Sequence, residues 1–444
     1  MKSSIQRGTA DRAGHDPRTA ALRIVDKVLS GTEASQALLD KGLRESSMVP
    51  SDKGLCTELV YGYLRWAARL DWDLGRFLRD PSKLPAEMRL ILGLAAYEIA
   101  FLTRIPAHAS VNWAVTRVRN RFGKGLGGVA NGALRSFARD MKTAGDTRFS
   151  VIPDTVQRLA VVHALPEWVV RLWFDAYGEE AAMTFMRASS SQAIPALRVN
   201  AGRSGAADVL AGLCNEPGAM KAGSWGVAFP GGAPYSARKL ERDGLASFQS
   251  PGVQDMLAAL DMPAWQGPVW DACAGRGGKT AAMLECGVCV RLATDMNYHR
   301  IAGLPPELER LGLDVSGLSV AQADAAGEAV GILSEGVFAT ILADVPCSGL
   351  GTLSRRPEIR FRRAHEDIPS LTASQDAILD AAARRLLPGG RIVYVTCTIN
   401  PVENEDRVHA FLSRHTEFSL VREWRTPRDT PWNEFFYAAI LGPE

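Results

Sequence analysis

The chain between residues 268 and 280 reads Pro-Val-Trp-Asp-Ala-Cys-Ala-Gly-Arg-Gly-Gly-Lys-Thr, a short apolar run followed by a glycine-rich turn. The run has the composition of a buried strand that ends at Asp271, and a helical pattern follows the turn. Further strand-like runs alternate with helical patterns toward the carboxyl terminus, which is typical of a doubly wound α/β domain with a parallel sheet. We predict this domain at residues 246–444. Its predicted strands are residues 268–271, 288–295, 318–324, 337–344 and 391–397, with an edge hairpin from residues 419–424 and 435–441.

The first third of the chain shows helical periodicity without strand alternation. Asp16 and Pro17 are the residue types expected at a helix N-cap and at the first helical position. Residues 1–16 are polar and predict a disordered tail. We predict an all-α domain at residues 17–148 and a small α+β linker domain at residues 149–245. Helices of the all-α domain are predicted at residues 51–69, 71–78, 84–102, 109–121 and 127–141.

Composition places the chain among ordinary globular proteins. It has 444 residues, of which 46% are hydrophobic and 23% charged. No apolar run approaches the roughly 18 residues of a membrane span, and the amino terminus lacks the apolar core of a signal peptide. The seven cysteines have no disulfide-framework spacing, and the seven histidines are scattered. We therefore expect a cytoplasmic monomer without a membrane anchor and without a bound metal.

Charge is distributed unevenly along the chain. Residues 1–150 carry 24 Lys and Arg against 15 Asp and Glu, whereas the remainder carries 27 against 34. Residues 101–150 alone contain nine basic and two acidic residues. This asymmetry indicates that the helical part binds a polyanion such as a nucleic acid. A solvated, arginine-rich surface is the alternative, and composition does not distinguish the two.

Acidic residues and a cysteine lie at the ends of the predicted strands of the α/β domain. In open α/β sheets, ligands bind outside the carboxyl ends of the strands. A single Asp at such a position often only caps the next helix. Four in series, in register with the sheet, favour a binding rim. The four acidic residues are Asp271, Asp295, Asp324 and Asp344, and the cysteine is Cys397.

The glycine-rich turn after Asp271 is compatible with one of three loop types. A P-loop requires Gly where Cys273 stands, and a dinucleotide-binding loop requires Gly where Thr280 stands. A methyltransferase-type loop holds the methionine part of S-adenosylmethionine by its backbone and tolerates this sequence. Asp295 lies 24 residues after Asp271, where a carboxylate could bind ribose hydroxyls.

Three segments together carry a resemblance to a known family. They read Asp271-Ala-Cys-Ala-Gly-Arg-Gly-Gly-Lys-Thr, Ala343-Asp-Val-Pro-Cys-Ser-Gly-Leu-Gly-Thr-Leu-Ser-Arg-Arg-Pro-Glu-Ile-Arg and Val395-Thr-Cys-Thr-Ile-Asn-Pro-Val-Glu-Asn-Glu. These segments resemble motifs of the Sun (RsmB) family of RNA cytosine-5 methyltransferases, and the helical domain resembles the NusB-like RNA-binding module that precedes them in the rRNA-modifying members. The resemblance implies a Rossmann-like class I methyltransferase domain. Three positions depart from the family pattern: Arg276 stands for Pro, Val345 for Ala and Thr398 for Ser.

The resemblance implies methyl transfer from S-adenosylmethionine to carbon 5 of a cytosine in RNA, with small-subunit (16S) rRNA favoured. Carbon 5 is a poor nucleophile, and a thiolate that adds to carbon 6 activates it. Chemistry alone leaves open which of Cys347 and Cys397 attacks. The RNA family implies that Cys397 is the nucleophile, that Cys347 assists product release, and that Asp344 activates the cytosine.

The remaining site predictions concern the cofactor and the RNA. Arg355, Arg356 and Arg360 lie in a segment, residues 355–363, that holds five arginines and one glutamate, and we predict that they contact RNA phosphates. The residues predicted to contact S-adenosylmethionine are Cys273, Ala274, Gly275, Arg276, Gly277, Gly278, Lys279, Asp295, Asp324 and Asp344.

Two other functional classes are compatible with parts of the sequence. In a P-loop NTPase, Gly278-Lys-Thr and the strand that ends at Asp344 would act as its two nucleotide motifs. In a non-catalytic RNA-binding or assembly factor, the basic helical domain would be the working part. The presence of Asp344, Cys347 and Cys397 argues against the second class.

Overall fold

A computed structural model describes residues 16–31, 33–327 and 336–443 of the chain. The chain forms two compact units. One ends at Ser190 and also contains Leu353–Arg362, and the other contains Ser191–Thr352 and the residues from Arg363 onward. The predicted tail at residues 1–16 lies outside the described residues, apart from Asp16.

The first unit is helical, as predicted. Asp16 caps the first helix, because its carboxylate accepts a hydrogen bond of 3.1 Å from the Thr19 N–H, and Pro17 occupies the first helical position. The predicted helices at residues 51–69 and 71–78 are one continuous helix. The helices are α1 (Pro17–Ser30), α2 (Ser35–Arg44), α3 (Pro50–Gly75), α4 (Ala86–Phe101), α5 (Ala107–Phe122), α6 (Lys124–Thr143), α7 (Thr155–Val162) and α8 (Glu167–Ser190), with a short helix at Ile359–Arg362.

Helices α3 and α4 pack through reciprocal glycine–tyrosine contacts. A Cβ placed on Gly62 of α3 would lie 2.0 Å from Cζ of Tyr97, and one placed on Gly93 of α4 would lie 2.4 Å from Cε2 of Tyr63. Each glycine therefore provides the space that the tyrosine of the facing helix occupies. Such close packing makes the core sensitive to the addition of even one methyl group.

The compact helical unit extends beyond the predicted domain boundary at residue 148. Helix α7 is joined to α3, because Nη1 of Arg69 donates to the Val162 carbonyl at 3.2 Å. Sequence periodicity contains no information about which domain these helices pack against. The unit also includes Leu353–Arg362, a segment far from it in sequence.

The second unit contains a small antiparallel sheet and a large mixed sheet. The small sheet has four strands in the order β2–β3–β1–β4. Its elements are β1 (Ala196–Val199), α9 (Ala206–Cys214), β2 (Met220–Ala222), β3 (Gly226–Ala228), α10 (Ala237–Arg242) and β4 (Ala246–Phe248).

The large sheet has seven strands in the order β10–β11–β9–β8–β5–β6–β7. Strands β5 to β9 are parallel, and β10 and β11 form the predicted antiparallel edge hairpin. The elements are α11 (Pro251–Ala259), β5 (Val269–Asp271), α12 (Gly278–Glu285), β6 (Val290–Asp295), α13 (Tyr298–Ile301), α14 (Leu304–Leu311), β7 (Ser319–Gln322), β8 (Phe338–Asp344), α15 (Ile368–Arg385), β9 (Leu386–Thr396), α16 (Glu405–Arg414), β10 (Ser419–Arg425) and β11 (Tyr437–Gly442).

This order confirms the predicted doubly wound fold and locates its binding edge. From β5 the chain proceeds through β6 and β7 to one side, and β8 and β9 lie on the other side of β5. The strand order thus reverses between β5 and β8, and ligands of such sheets bind at this switch point. Asp271 and Asp344 are the last residues of these two strands. No helix in the described part of the chain has the length and apolar character needed to cross a bilayer.

The packing of α3 on α4 yields a prediction about stability. We expect Gly62→Ala to lower the free energy of unfolding by about 1–3 kcal/mol, because the added methyl group overlaps Tyr97. In Gly128→Ala, the control, a Cβ meets no atom within 4 Å and the higher helix propensity of alanine raises stability by up to about 1 kcal/mol. Urea denaturation of both variants measures the difference, and equal stability of the two would contradict this packing.

Candidate active site

The turn between β5 and α12 has a backbone that requires glycine. Gly275 and Gly277 have φ angles of 59° and 82°, in the left-handed region. A Cβ on Gly277 would also lie 2.1 Å from Cδ1 of Leu304. The turn therefore brings bare backbone to the carboxyl end of β5, where a ligand can approach it closely.

The turn has Arg276 where the resembling family has a proline. Hydrogen bonds from backbone N–H groups, and not a proline ring, stabilise the turn here. The Gly275 N–H donates to Oδ2 of Asp295 at 2.9 Å, and the Ala274 N–H donates to the Thr294 carbonyl at 2.8 Å. Arg276 itself is exposed. The turn is thus tied to the end of β6, and the side chain of Arg276 remains available to a ligand or to solvent.

Asp271 presents an unsatisfied acceptor beneath the turn. Its side chain is 1% exposed, and Oδ2 accepts a hydrogen bond of 2.6 Å from Thr280 Oγ1. Burial raises the pKa of Asp271 to about 7. Oδ1 is buried and has no hydrogen-bond partner among the described residues. A ligand ammonium group would satisfy it, so Asp271 joins the candidate cofactor residues although the sequence prediction had placed it only on the rim.

Asp295 and Asp324 differ in what they can offer a cofactor. Asp295 is buried, and its two oxygens accept N–H bonds from Gly275 and from Asn297 at 2.9 and 2.8 Å. Each oxygen retains a second lone pair for a ribose hydroxyl. Asp324 is exposed, and its Oδ1 accepts a hydrogen bond from the Ala326 N–H at 3.0 Å. It therefore closes the turn after β7 and is reached from solvent.

Lys279 is bound to Asp344. Nζ of Lys279 lies 2.5 Å from Oδ2 of Asp344, and both side chains are mostly buried. Burial alone would lower the pKa of Lys279, but the carboxylates of Asp344 and Asp271 more than offset this effect and raise it. The ammonium is therefore a fixed positive charge at the end of β8 that orients the carboxylate of Asp344.

The two predicted reactive cysteines lie together. Their Sγ atoms are 3.3 Å apart, and the Cys397 N–H points at the sulfur of Cys347 at 3.4 Å. The hydrogen bond with Cys397, and after it burial, raises the pKa of Cys347 well above the usual value of a thiol. Cys347 is therefore a protonated thiol at neutral pH and can donate to a thiolate on Cys397.

Cys273 shares the same end of the sheet but is not suited to react. Burial raises its pKa well above the usual value, and nearby carboxylates, with Asp344 and Asp271 first among them, raise it further. Because the thiolate is the reactive form, Cys273 is an unreactive thiol.

The carboxylate of Glu403 joins the two cysteine turns. Glu403 is 0% exposed and accepts four hydrogen bonds. Ser348, which follows Cys347, donates its N–H at 2.8 Å and its hydroxyl at 2.5 Å. The side-chain amides of Gln375 and Asn400 donate the other two, at 3.2 and 2.9 Å. An ionised carboxylate accepts without donating, so it satisfies all four donors at once.

The residue after each cysteine also contacts its counterpart. Oγ1 of Thr398, which follows Cys397, lies 2.6 Å from Oγ of Ser348. Because the Ser348 proton points to Glu403, the Thr398 hydroxyl is the donor. Threonine keeps the hydroxyl of the serine found in the resembling family, so this departure preserves the contact. Glu403 and Ser348 were not among the predicted site residues, although both lie in the quoted motifs.

Arg360 occupies a different environment from the one predicted. It is 7% exposed, and its guanidinium donates to the carbonyls of Ala164, Ser189 and Leu353 at 3.2, 2.6 and 2.9 Å. Burial lowers its pKa to about 9. Its donors are thus used within the helical unit, which corrects its predicted role as a phosphate contact. Arg356 is exposed and Arg355 half-buried, so both remain candidates.

Comparisons with known proteins give a consistent result. The family model described as 16S rRNA methyltransferase RsmB/F matches residues 259–434, and the NusB family model matches residues 15–139. A probable ribosomal RNA small subunit methyltransferase B from Bacillus subtilis is 32% identical, covering 92% of this chain and 91% of its own. Ribosomal RNA small subunit methyltransferase B from Vibrio vulnificus is also 32% identical, covering 96% and 99%. The crystal structure of PH0851 has the same fold, with a TM-score of 0.75, 22% identity and coverage of 96% and 98%.

The different environments of the two cysteines yield a prediction about reactivity. Brief treatment with iodoacetamide at neutral pH should label Cys397 before Cys347, because alkylation needs a thiolate and the raised pKa keeps Cys347 protonated. Labelling of Cys347 should increase only at alkaline pH. Peptide mass spectrometry after limited labelling measures each site separately.

Other cysteines of the chain calibrate this measurement. Cys214 and Cys289 are exposed and provide the rate of accessible thiols. Cys56 is fully buried, and burial raises its pKa to about 11, so it provides the lower limit. Equal or faster labelling of Cys347 at neutral pH would be inconsistent with the arrangement described above.

Proposed function

Because this chain belongs to the RsmB/F family of methyltransferases, we propose that it transfers a methyl group from S-adenosylmethionine to carbon 5 of a cytosine in small-subunit (16S) rRNA through a covalent adduct with Cys397. The observation that carries the proposal is the pair of thiols 3.3 Å apart, in the turns that follow β9 and β8, the strand that ends at Asp344. Membership of a methyltransferase family also removes the P-loop NTPase alternative.

The residues at the carboxyl ends of β5 and β6 fit the proposed cofactor. The turn at residues 273–279 would hold its methionine part by backbone, Oδ1 of Asp271 would accept from the ammonium group, and Asp295 would bind the ribose. When bound, S-adenosylmethionine supplies an electrophilic methyl group on sulfur. Asp324 is a further candidate on the exposed side of this rim.

The attack on the base uses Cys397 and Asp344. The Cys397 thiolate forms a bond to carbon 6 of the cytosine, and the electron pair of the carbon 5–carbon 6 double bond becomes available at carbon 5. A proton on ring nitrogen 3 makes carbon 6 more electrophilic. The carboxylate of Asp344, held by Lys279, can accept a hydrogen bond from that protonated nitrogen. Carbon 5 then takes the methyl group, and S-adenosylhomocysteine is the second product.

Release of the product requires the reverse of the first step. The proton on carbon 5 is lost to a base, the double bond forms again, and the bond from carbon 6 to the Cys397 sulfur breaks. Cys347 is a thiol 3.3 Å from the departing sulfur and can donate a hydrogen bond to it. Its raised pKa supports this role, since it keeps the proton on Cys347 until the thiolate leaves.

The RNA must present its target base outside a stacked helix, because a thiol cannot reach carbon 6 within one. Arg355 and Arg356 are proposed to contact phosphates of this RNA. The proposal also includes action as a monomer in the cytoplasm, where seven free cysteines are compatible with a reducing environment.

Substitution of each cysteine separates attack from release. We expect Cys397→Ala to lower methyl transfer to background, because no nucleophile remains for carbon 6. Cys347→Ala should accumulate a covalent protein–RNA adduct that survives denaturing electrophoresis, because departure of Cys397 is slowed. Bisulfite sequencing of 16S rRNA incubated with each protein and S-adenosylmethionine locates the product.

The exposed Cys214 provides the control, and Cys214→Ala should retain the parental activity. An adduct recovered from Cys397→Ala, and not from Cys347→Ala, would reverse the two roles. Methyl transfer to an atom other than carbon 5 of cytosine would overturn the proposed reaction.

Glu403 is proposed to position both cysteines for this reaction. Glu403→Gln replaces one acceptor oxygen by an NH2 group, which would face donors and disrupt the contact with Ser348. We expect the maximal rate of methyl transfer to fall by about 10- to 100-fold, as for small misplacements of reacting groups. Binding of S-adenosylmethionine, measured by calorimetry, should not change.

A matched substitution and a second readout separate positioning from general destabilisation. Glu417→Gln, at an exposed glutamate, should leave the rate unchanged. In Glu403→Gln, the labelling rates of Cys347 and Cys397 should become similar, since their relative placement is lost. Unchanged rates of both labelling and methyl transfer would refute the positioning role.

A further inference from the structure

A groove runs between the helices α5 and α6 of the helical unit, with a volume of about 740 Å³. We call it the α5–α6 groove. Its polar lining consists of basic and amide side chains and includes no carboxylate. Its polar residues are His108, Asn112, Arg119, Lys124, Asn131 and Arg135.

The cations in the groove differ from other basic residues nearby. On α5, Arg117 and Arg121 pair with Glu87 at 3.5 and 3.1 Å. Within the part of the chain that the structure describes, neither Arg119 nor Lys124 forms an ion pair, and both are exposed. The positive charge of the groove is therefore not neutralised by the described residues, in contrast to the charge of Arg117 and Arg121, two residues to either side of Arg119.

The bottom of the groove is formed by glycines. Gly127 packs against α5, where its added Cβ would lie 3.1 Å from Cβ of Arg119, and Gly128 has no atom within 4 Å of an added Cβ. A ligand can therefore approach the helix backbone closely. Helix α6 begins at Lys124, and no side chain caps its first N–H groups. Its amino-terminal end adds positive potential to that of the side chains.

We propose that the α5–α6 groove binds the ribose–phosphate backbone of the substrate RNA. The inference rests on the proposed function, which gives the chain an RNA substrate. Unpaired cations and amide donors match phosphate and ribose oxygens, whereas the groove is lined by no Phe, Tyr or Trp side chain that would anchor a protein partner. Contacts of this kind hold the RNA without reading its bases, so the groove contributes affinity and leaves the chemical step to the other unit.

Two double variants, each of which removes two positive charges, test the groove. In Arg119→Gln/Lys124→Gln, two unpaired cations are removed, and in Arg117→Gln/Arg121→Gln, two cations paired with Glu87 are removed. We expect the first variant to bind 16S rRNA roughly tenfold more weakly at 0.1 M salt, with a salt dependence reduced by about 1.4 in log–log slope, at about 0.7 per contact. The second variant should bind like the parent protein.

A second pair of variants tests the groove without removing a cation. Gly128→Glu introduces a negative charge into open space, and Gly128→Gln introduces a neutral side chain of the same size. We expect the glutamate variant to bind RNA more weakly than the glutamine variant, because both side chains fill the groove equally and only the glutamate adds a negative charge. In the weakened variants KM for RNA should rise, whereas kcat at saturating RNA and binding of S-adenosylmethionine should stay at parental values.

The outcomes distinguish this inference from the proposed function. Filter binding measures RNA affinity, and bisulfite sequencing reports independently which atom is methylated. Parental affinity and salt dependence in both Arg119→Gln/Lys124→Gln and Gly128→Glu would overturn the groove as an RNA site, even if cytosine-5 methylation is found. Equal losses in Arg117→Gln/Arg121→Gln would also overturn it, because the effect would then be one of net charge.

Discussion

The arrangement of the candidate active site depends on one buried carboxylate. Glu403 accepts hydrogen bonds from both polar groups of Ser348 and from two side-chain amides, and Ser348 in turn accepts from Thr398. The two turns that carry Cys347 and Cys397 are thereby fixed with their sulfur atoms 3.3 Å apart. A buried carboxylate is stable here only because four donors replace the water that it has lost.

Oppositely charged side chains lie next to each other at the same end of the sheet. The ammonium of Lys279 holds Asp344 at the end of β8, and the cysteine pair follows on β8 and β9. The hydrogen bond with Cys397 and burial keep Cys347 protonated, so Cys347 can donate a hydrogen bond to the residue that is proposed as the nucleophile. The different roles proposed for these two chemically identical residues follow from their different surroundings.

The sequence correctly predicted the ends of three strands, because these depend on interactions between neighbouring residues. The strands predicted to end at Asp271, Asp295 and Asp344 end at those residues. Local sequence was a poor guide to side chains whose partners lie elsewhere in the chain. Arg360 was predicted to contact RNA with the rest of its basic segment, but its partners include Ala164 and Ser189, which lie 196 and 171 residues earlier. Only the folded chain brings such partners within hydrogen-bonding distance.

The sequence by itself determined the doubly wound sheet, the helical first part and the residues at the strand ends. These follow from hydrophobic periodicity and from turn chemistry, which act over a few neighbouring residues. The tertiary structure decided which cations are neutralised and which thiol stays protonated. It also showed that Glu403 joins the two cysteine turns. Those properties depend on burial and on distances between residues remote in sequence, because desolvation and hydrogen bonding are set by the groups that folding brings together.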